Sequence, residues 1–119
     1  MAFDYSIDHC PPLPVVEGVE FRHCVGFYGY AVDSLGNVWS CRVRRSKTHS
    51  FSTTWNQLRP GLNEGGYKIV RPTNGLRCVT KKIATLVAEA FHGPRPLGAD
   101  VCHNDGTRTN DTPNNLRWG

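Results

Sequence analysis

A histidine adjoins a cysteine three times in this sequence, at His9-Cys10, His23-Cys24 and Cys102-His103. Imidazole and thiolate are both metal ligands, and both serve in nucleophilic catalysis. No CxxC pair occurs and the five cysteines (Cys10, Cys24, Cys41, Cys78, Cys102) are an odd set, so neither a zinc ribbon nor a disulfide framework is written here. They read as reduced thiols of a cytoplasmic protein, and a structural Zn²⁺ collected from separate His-Cys pairs is the lesser metal expectation. Cys102 and His103 do not make a nucleophile and base with each other, because neighbours on a strand point to opposite faces. His49 or His92 would reach Cys102 only through tertiary proximity. The segment around Cys102-His103 is unusual in another way: four Asn and two Asp follow His103 before Leu116. Such a loop is costly to order unless its polar side chains bond backbone groups or a metal. An Asx-rich surface loop with an ordinary histidine and a functional site both remain open at this point.

The elements that must position these residues are short. Residues 1–19 contain Pro11-Pro12 and Pro14 and read as an irregular lead-in, with one extended piece at Leu13 to Val16. Tyr28 to Val32 and Asn37 to Val43 predict a hairpin around Asp33-Ser34-Leu35-Gly36. Residues 44–57 are rich in Ser and Thr and lack periodicity, which predicts a loop. A second hairpin is expected from Tyr67 to Arg71 and Leu76 to Thr80, about an Asn74-Gly75 turn. Lys81 to His92 predicts a helix capped by Thr80 and stopped by Gly93-Pro94. Its Ile83, Leu86, Val87, Ala90 and Phe91 fall on one apolar stripe. A strand near Val101 to His103, a loop from Asn104 to Asn115 and a strand at Leu116 to Trp118 complete the chain. The fold class expected is α+β: small antiparallel hairpins plus a central helix, in one domain-sized unit of 119 residues.

Charge narrows the partner. Residues 1–40 carry one basic and five acidic side chains, residues 41–82 carry ten and one, and residues 83–119 carry three and four. A middle third at +9 predicts a polyanionic partner, DNA or RNA, with Arg42, Arg44, Arg45, Lys47, Lys68 and Arg71 on phosphates and Arg108 beside them. Trp39, Trp55 and Tyr67 are aromatics that stack on bases in such proteins, although strand positions for Trp39 and Tyr67 favour the core. No apolar run approaches the roughly 20 residues that cross a bilayer, and the opening Met1-Ala2-Phe3-Asp4-Tyr5-Ser6 lacks the pattern of a signal peptide. A membrane partner and secretion are therefore not expected.

Leu86-Val87-Ala88-Glu89-Ala90-Phe91-His92-Gly93-Pro94-Arg95-Pro96, then Val101-Cys102-His103-Asn104-Asp105-Gly106, then Asn115-Leu116-Arg117-Trp118-Gly119, closely resembles HNH endonucleases of the phage and homing type. Val25 to Ser40 resembles NUMOD4, a small accessory motif that often precedes such nucleases. With Leu58-Arg59-Pro60 and Gly66-Tyr67, the resemblance runs over residues 21–119. It implies an N-terminal arm at 1–20, a NUMOD4-like hairpin and basic loop at 21–57, and a nuclease-like region at 58–119. It further implies a ββα-metal motif that hydrolyses DNA phosphodiesters with one divalent cation, Mg²⁺ or Mn²⁺. By position, His103 matches the general base, whose ordinary titration range near neutrality suits that task. Asn115 matches the middle Asn that ties down the loop.

Two departures from the family pattern follow. Many relatives have a metal-binding Asp just before the His, where this chain has Cys102, a soft ligand ill suited to Mg²⁺; Asp105 is the substitute carboxylate. The third motif residue of such relatives, a metal-binding His or Asn, lies on a helix after the second strand, past the position of Gly119. The resemblance thus implies a C-terminally incomplete motif, with a homodimer or second chain completing the metal site, or a nucleic-acid-binding module or nuclease fragment that does not cleave.

Overall fold

The computed structural model describes residues 10–43 and 51–119. Three antiparallel sheets and one helix make up these residues. The first sheet runs β1 (Phe21–His23), β2 (Tyr30–Asp33), β3 (Val38–Arg42) and β4 (Phe51–Gln57), each strand beside its sequence neighbour. The second orders β5 (Gly61–Leu62), β6 (Lys68–Val70) and β7 (Lys81–Lys82). Helix α1 (Ile83–His92) continues directly from β7, and β8 (Val101–His103) pairs with β9 (Leu116–Trp118) to close the chain.

The helix is the hub, for the reason its stripe predicts. Ile83, Leu86 and Val87 are fully enclosed and meet Tyr30, Val32 and Val38 of the first sheet, Val70 of the second and Leu116 of the third in one core. Fully burying side chains of this size contributes about 1.5–3 kcal/mol each, so a ten-residue helix joins three sheets too small to stand alone. Two polar clasps fix its far end to the last hairpin: Trp118 Nε1 donates to the Gly93 carbonyl, and His92 Nε2 lies 2.7 Å from the Pro113 carbonyl. His92 Nε2 bonds the Pro113 carbonyl and the Cys102 thiol faces the Asp100 carbonyl, so the two do not bond each other.

The first hairpin forms as its sequence predicts, with slightly shorter strands. Asp33, 1% exposed, is its organiser: Oδ1 accepts the Leu35 and Asn37 backbone N–H groups, and Oδ2 accepts Trp39 Nε1. This use of an Asp to satisfy the turn is ordinary Asx chemistry.

Four expectations are corrected. Residues 51–57 are a strand, β4, paired to β3 across a bulge, and not part of a loop; residues 44–50 lie outside the described set. The pairing needs only backbone groups, so the absence of apolar alternation did not prevent it. The second hairpin does not form as a ladder: β6 pairs with β5 and β7, and the Asn74-Gly75 turn is closed by a single bridge, Thr73 to Cys78. The helix starts at Ile83, after an extended Lys82 with no side-chain cap, and not after a Thr80 cap. No strand forms at Leu13 to Val16, where the backbone makes only the bridge Val16 to Val19.

Candidate active site and cationic wall

The β8–β9 hairpin carries the polar loop that the sequence singles out. Its hydrogen bonds account for the Asx content. Asn115, buried at the end of a 3-10 turn (Pro113–Asn115), donates through Nδ2 to Asp105 Oδ1 at 2.9 Å and to the Asn110 carbonyl at 2.9 Å. Its Oδ1 accepts the Asp105 N–H at 3.1 Å, and its own carbonyl accepts the Asn104 N–H at 2.7 Å. Asp105 in turn accepts the Thr107 N–H and the Asn110 amide. The Asn110 amide, with the Thr107 N–H and the Asn115 amide, holds the Asp105 carboxyl down at about 2.

His103, last residue of β8, faces inward from this loop. Its Nε2 lies 2.8 Å from Asp111 Oδ1, with side chains only 5% and 2% exposed. Among the described residues, Asp111 Oδ2 is the enclosed side-chain oxygen or nitrogen with no hydrogen-bond partner. The other ring nitrogen, Nδ1, makes no hydrogen bond and is not fully enclosed. Burial pushes the Asp111 carboxyl up, against the opposing pull of His103 and of the Lys68 charge.

Tyr67 forms the wall beside His103, ring centroids 5.7 Å apart. Lys82 Nζ stands 4.4 Å from the Tyr67 ring centre and the Arg108 guanidinium 5.4 Å from it. Arg108 also donates to the Gly65 carbonyl, which links the polar loop to the turn before β6. Lys82 pairs with Ile69 in the sheet, and Lys68, the residue before Ile69 on β6, acts through its charge on the Asp111 carboxyl. The sequence flags Lys68, Arg108 and Tyr67 here. It does not flag Lys82 or Asp111: Lys82 reads as the first turn of a helix, and Asp111 as one Asx among six.

The remaining residues named from sequence are dispersed. Arg42 donates through Nε to the Tyr28 carbonyl and lies over the Tyr30 and Phe51 rings. Arg71 is exposed just after β6. Arg44, Arg45, Lys47 and His49 lie outside the described residues. Trp39 serves the Asp33 turn and packs edge-on to Phe21, while Trp55 Nε1 donates to the Pro11 and Pro12 carbonyls. Cys24 and Cys41 are buried thiols pushed up to about 12 by their burial, so they are inert packing residues.

The donors present do not fit a divalent cation. No three His, Cys, Asp or Glu side chains among the described residues come together as a ligand set. Both Asp105 oxygens are spent on the loop, and the Cys102 thiol is 3.9 Å from the Asp100 carbonyl. No helix among the described residues is long and apolar enough to cross a membrane.

No protein-family model matches the chain, and no curated protein does. A solved structure described as DNA binding and cleavage by the HNH homing endonuclease I-HmuI is similar to it, with a TM-score of 0.65 and 28% identity over 84% of this chain. The chain spans about half of that protein's length, 52%. In fold, this mixed α+β unit of antiparallel sheets around one helix is similar to an HNH homing endonuclease.

Proposed function

We propose that the chain binds DNA and hydrolyses a phosphodiester bond, with His103 as general base. The observation that carries this is the imidazole itself: one nitrogen is anchored to a buried carboxylate, the other makes no hydrogen bond, and Tyr67 packs beside the imidazole with Lys82 and Arg108 over the tyrosine ring. Likeness to a DNA-cleaving HNH endonuclease supports the same function. In the step proposed, water loses a proton to His103 as its oxygen attacks phosphorus, and the bridging phosphorus–oxygen bond breaks. The leaving oxygen takes a proton from solvent. The neighbouring ammonium and guanidinium groups offset the charge that grows on the phosphate oxygens. Asn115 keeps the loop under His103 in place. Residues 21–57 act in this proposal as a NUMOD4-like DNA-contacting accessory to the nuclease-like region at 58–119.

A DNA-binding module without cleavage is the second reading, favoured by a His103 side chain only 5% exposed and by the lack, among the described residues, of three side chains gathered as a cation-ligand set. A supercoiled-plasmid assay in Mg²⁺ or Mn²⁺ at low salt separates the two. Cleavage is expected from the wild-type chain and is expected to vanish in His103→Ala while gel retardation of DNA persists. Retardation by both proteins with nicking by neither leaves only the binding module.

A further inference from the structure

His103 and Asp111 are eight residues apart and meet in the interior. The proton transfer described above makes no use of Asp111. As a pure stabilising contact the pair is poorly built: a buried carboxylate with one oxygen unpaired costs free energy. Yet it is held firmly. Asp111 is 3% exposed, and Gly36, in the turn between β2 and β3, packs so closely that a Cβ there would stand 2.9 Å from the Asp111 carbonyl carbon.

The chemistry of the contact is asymmetric. An ionised carboxylate has lone pairs and no hydrogen, so it bonds only to the ring nitrogen that carries the proton. In a neutral imidazole the other nitrogen then holds the lone pair. With Nε2 on Asp111 Oδ1, that other nitrogen is Nδ1, which makes no hydrogen bond within the protein.

We propose that Asp111 is a positioning residue for His103: it holds the imidazole in the Nε2–H form and so leaves the basic lone pair on Nδ1, the nitrogen that takes the proton from water. The role in cleavage rests on the nuclease function proposed above; the state of the ring does not. Once Nδ1 has taken the proton, the imidazolium still faces the Asp111 carboxylate, which offsets its charge.

Ring-nitrogen NMR on ¹⁵N-labelled full chain at about pH 8, above the ordinary histidine range, tests this. His103 is assigned by comparison with His103→Gln. The expected wild-type spectrum has a bare Nδ1 and a protonated Nε2. Asp111→Asn keeps the size of the side chain but offers an amide that accepts from Nε2–H or donates to a bare Nε2. The variant is therefore expected to show a mixed or reversed ring, and cleavage lower by on the order of 10²-fold or more. A wild-type ring with its proton on Nδ1, or an unchanged ring and undiminished cleavage in Asp111→Asn, overturns the proposal. The wild-type spectrum decides even where the variant does not fold. Absence of cleavage by the wild-type chain overturns the nuclease function alone, because the spectrum is read without DNA.

Discussion

Asn115 shows how one buried amide can organise a whole loop. Its amide bonds Asp105 and the Asn110 carbonyl while its carbonyl oxygen takes the Asp105 N–H, so three parts of the loop converge on one buried residue. Asn115→Ala strands these partners, and the expected loss is about 2–4 kcal/mol of stability together with disordering of the loop beneath His103. Thermal or urea unfolding measures it, and an unchanged midpoint refutes it. Asp105 belongs to the same knot and makes stability depend on pH. Its carboxyl sits at about 2 when folded against an ordinary 3.8, the direction in which charge is favoured by folding. That contribution is complete above the unfolded value and is lost as pH falls from about 4 through about 2. Asp111 works with the opposite sign, since burial raises it and acid relieves the penalty. Comparing wild type with Asp105→Asn isolates the first effect: the difference between their unfolding curves is expected to shrink as pH drops toward 2. A difference that stays constant with pH would show that the Asp105 charge is not what the loop recognises.

At the level of elements, the turn at Asp33 to Gly36 does two jobs. It closes the first hairpin, and Gly36 at φ +87° leans on the Asp111 backbone. Gly36→Ala meets both a left-handed backbone and a 2.9 Å approach to Asp111, so it is expected to cost about 2 kcal/mol or more. Cleavage is expected to fall further than stability alone explains, because the displaced residue is the His103 partner; a melting curve and plasmid nicking on the same sample test both. This coupling between the first hairpin and the last loop was not legible in the sequence, since it runs between residues 75 apart through backbone contact. The helix stripe and the β8–β9 hairpin were legible because burial imposes a period on Ile83, Leu86 and Val87 and because the His103 and Asn115 motifs flank short apolar strands. Strand β4 was not, because Thr53 and Thr54 in its middle and Asn56 and Gln57 at its end expose polar side chains and leave no apolar alternation to read: Asn56 and Gln57 meet Ser40 and Trp39 of β3 through the backbone. The Asn74-Gly75 turn misled in the other direction: its residues form the turn, but both edges of β6 are already taken by β5 and β7.

Over the whole molecule, charge segregation decides how DNA would be held, and it separates two kinds of arginine and lysine. Arg42 is bound to the Tyr28 carbonyl and stacked near Tyr30 and Phe51, so its guanidinium is committed to the first sheet. Lys82 lies over the Tyr67 ring that packs beside His103, the Lys68 charge acts on Asp111, and Arg71 is exposed just beyond β6. If Lys68, Arg71 and Lys82 act with Arg44, Arg45 and Lys47 on six phosphates, log K for DNA falls with log salt at a slope of about −5. Lys82→Ala is then expected to flatten the slope by about 1 while leaving the melting temperature nearly unchanged. Arg42→Ala is expected to do the reverse, lowering the melting temperature by removing a carbonyl bond and two ring contacts, with the slope nearly constant. Fluorescence-anisotropy titrations of a short duplex at several salt concentrations, run beside thermal unfolding, measure both quantities on each variant. The crossed pattern is the discriminating feature. A slope that flattens equally in the two variants would place Arg42 on the DNA, and would mean that binding pulls its guanidinium away from Tyr28 and the rings that hold it in the free protein.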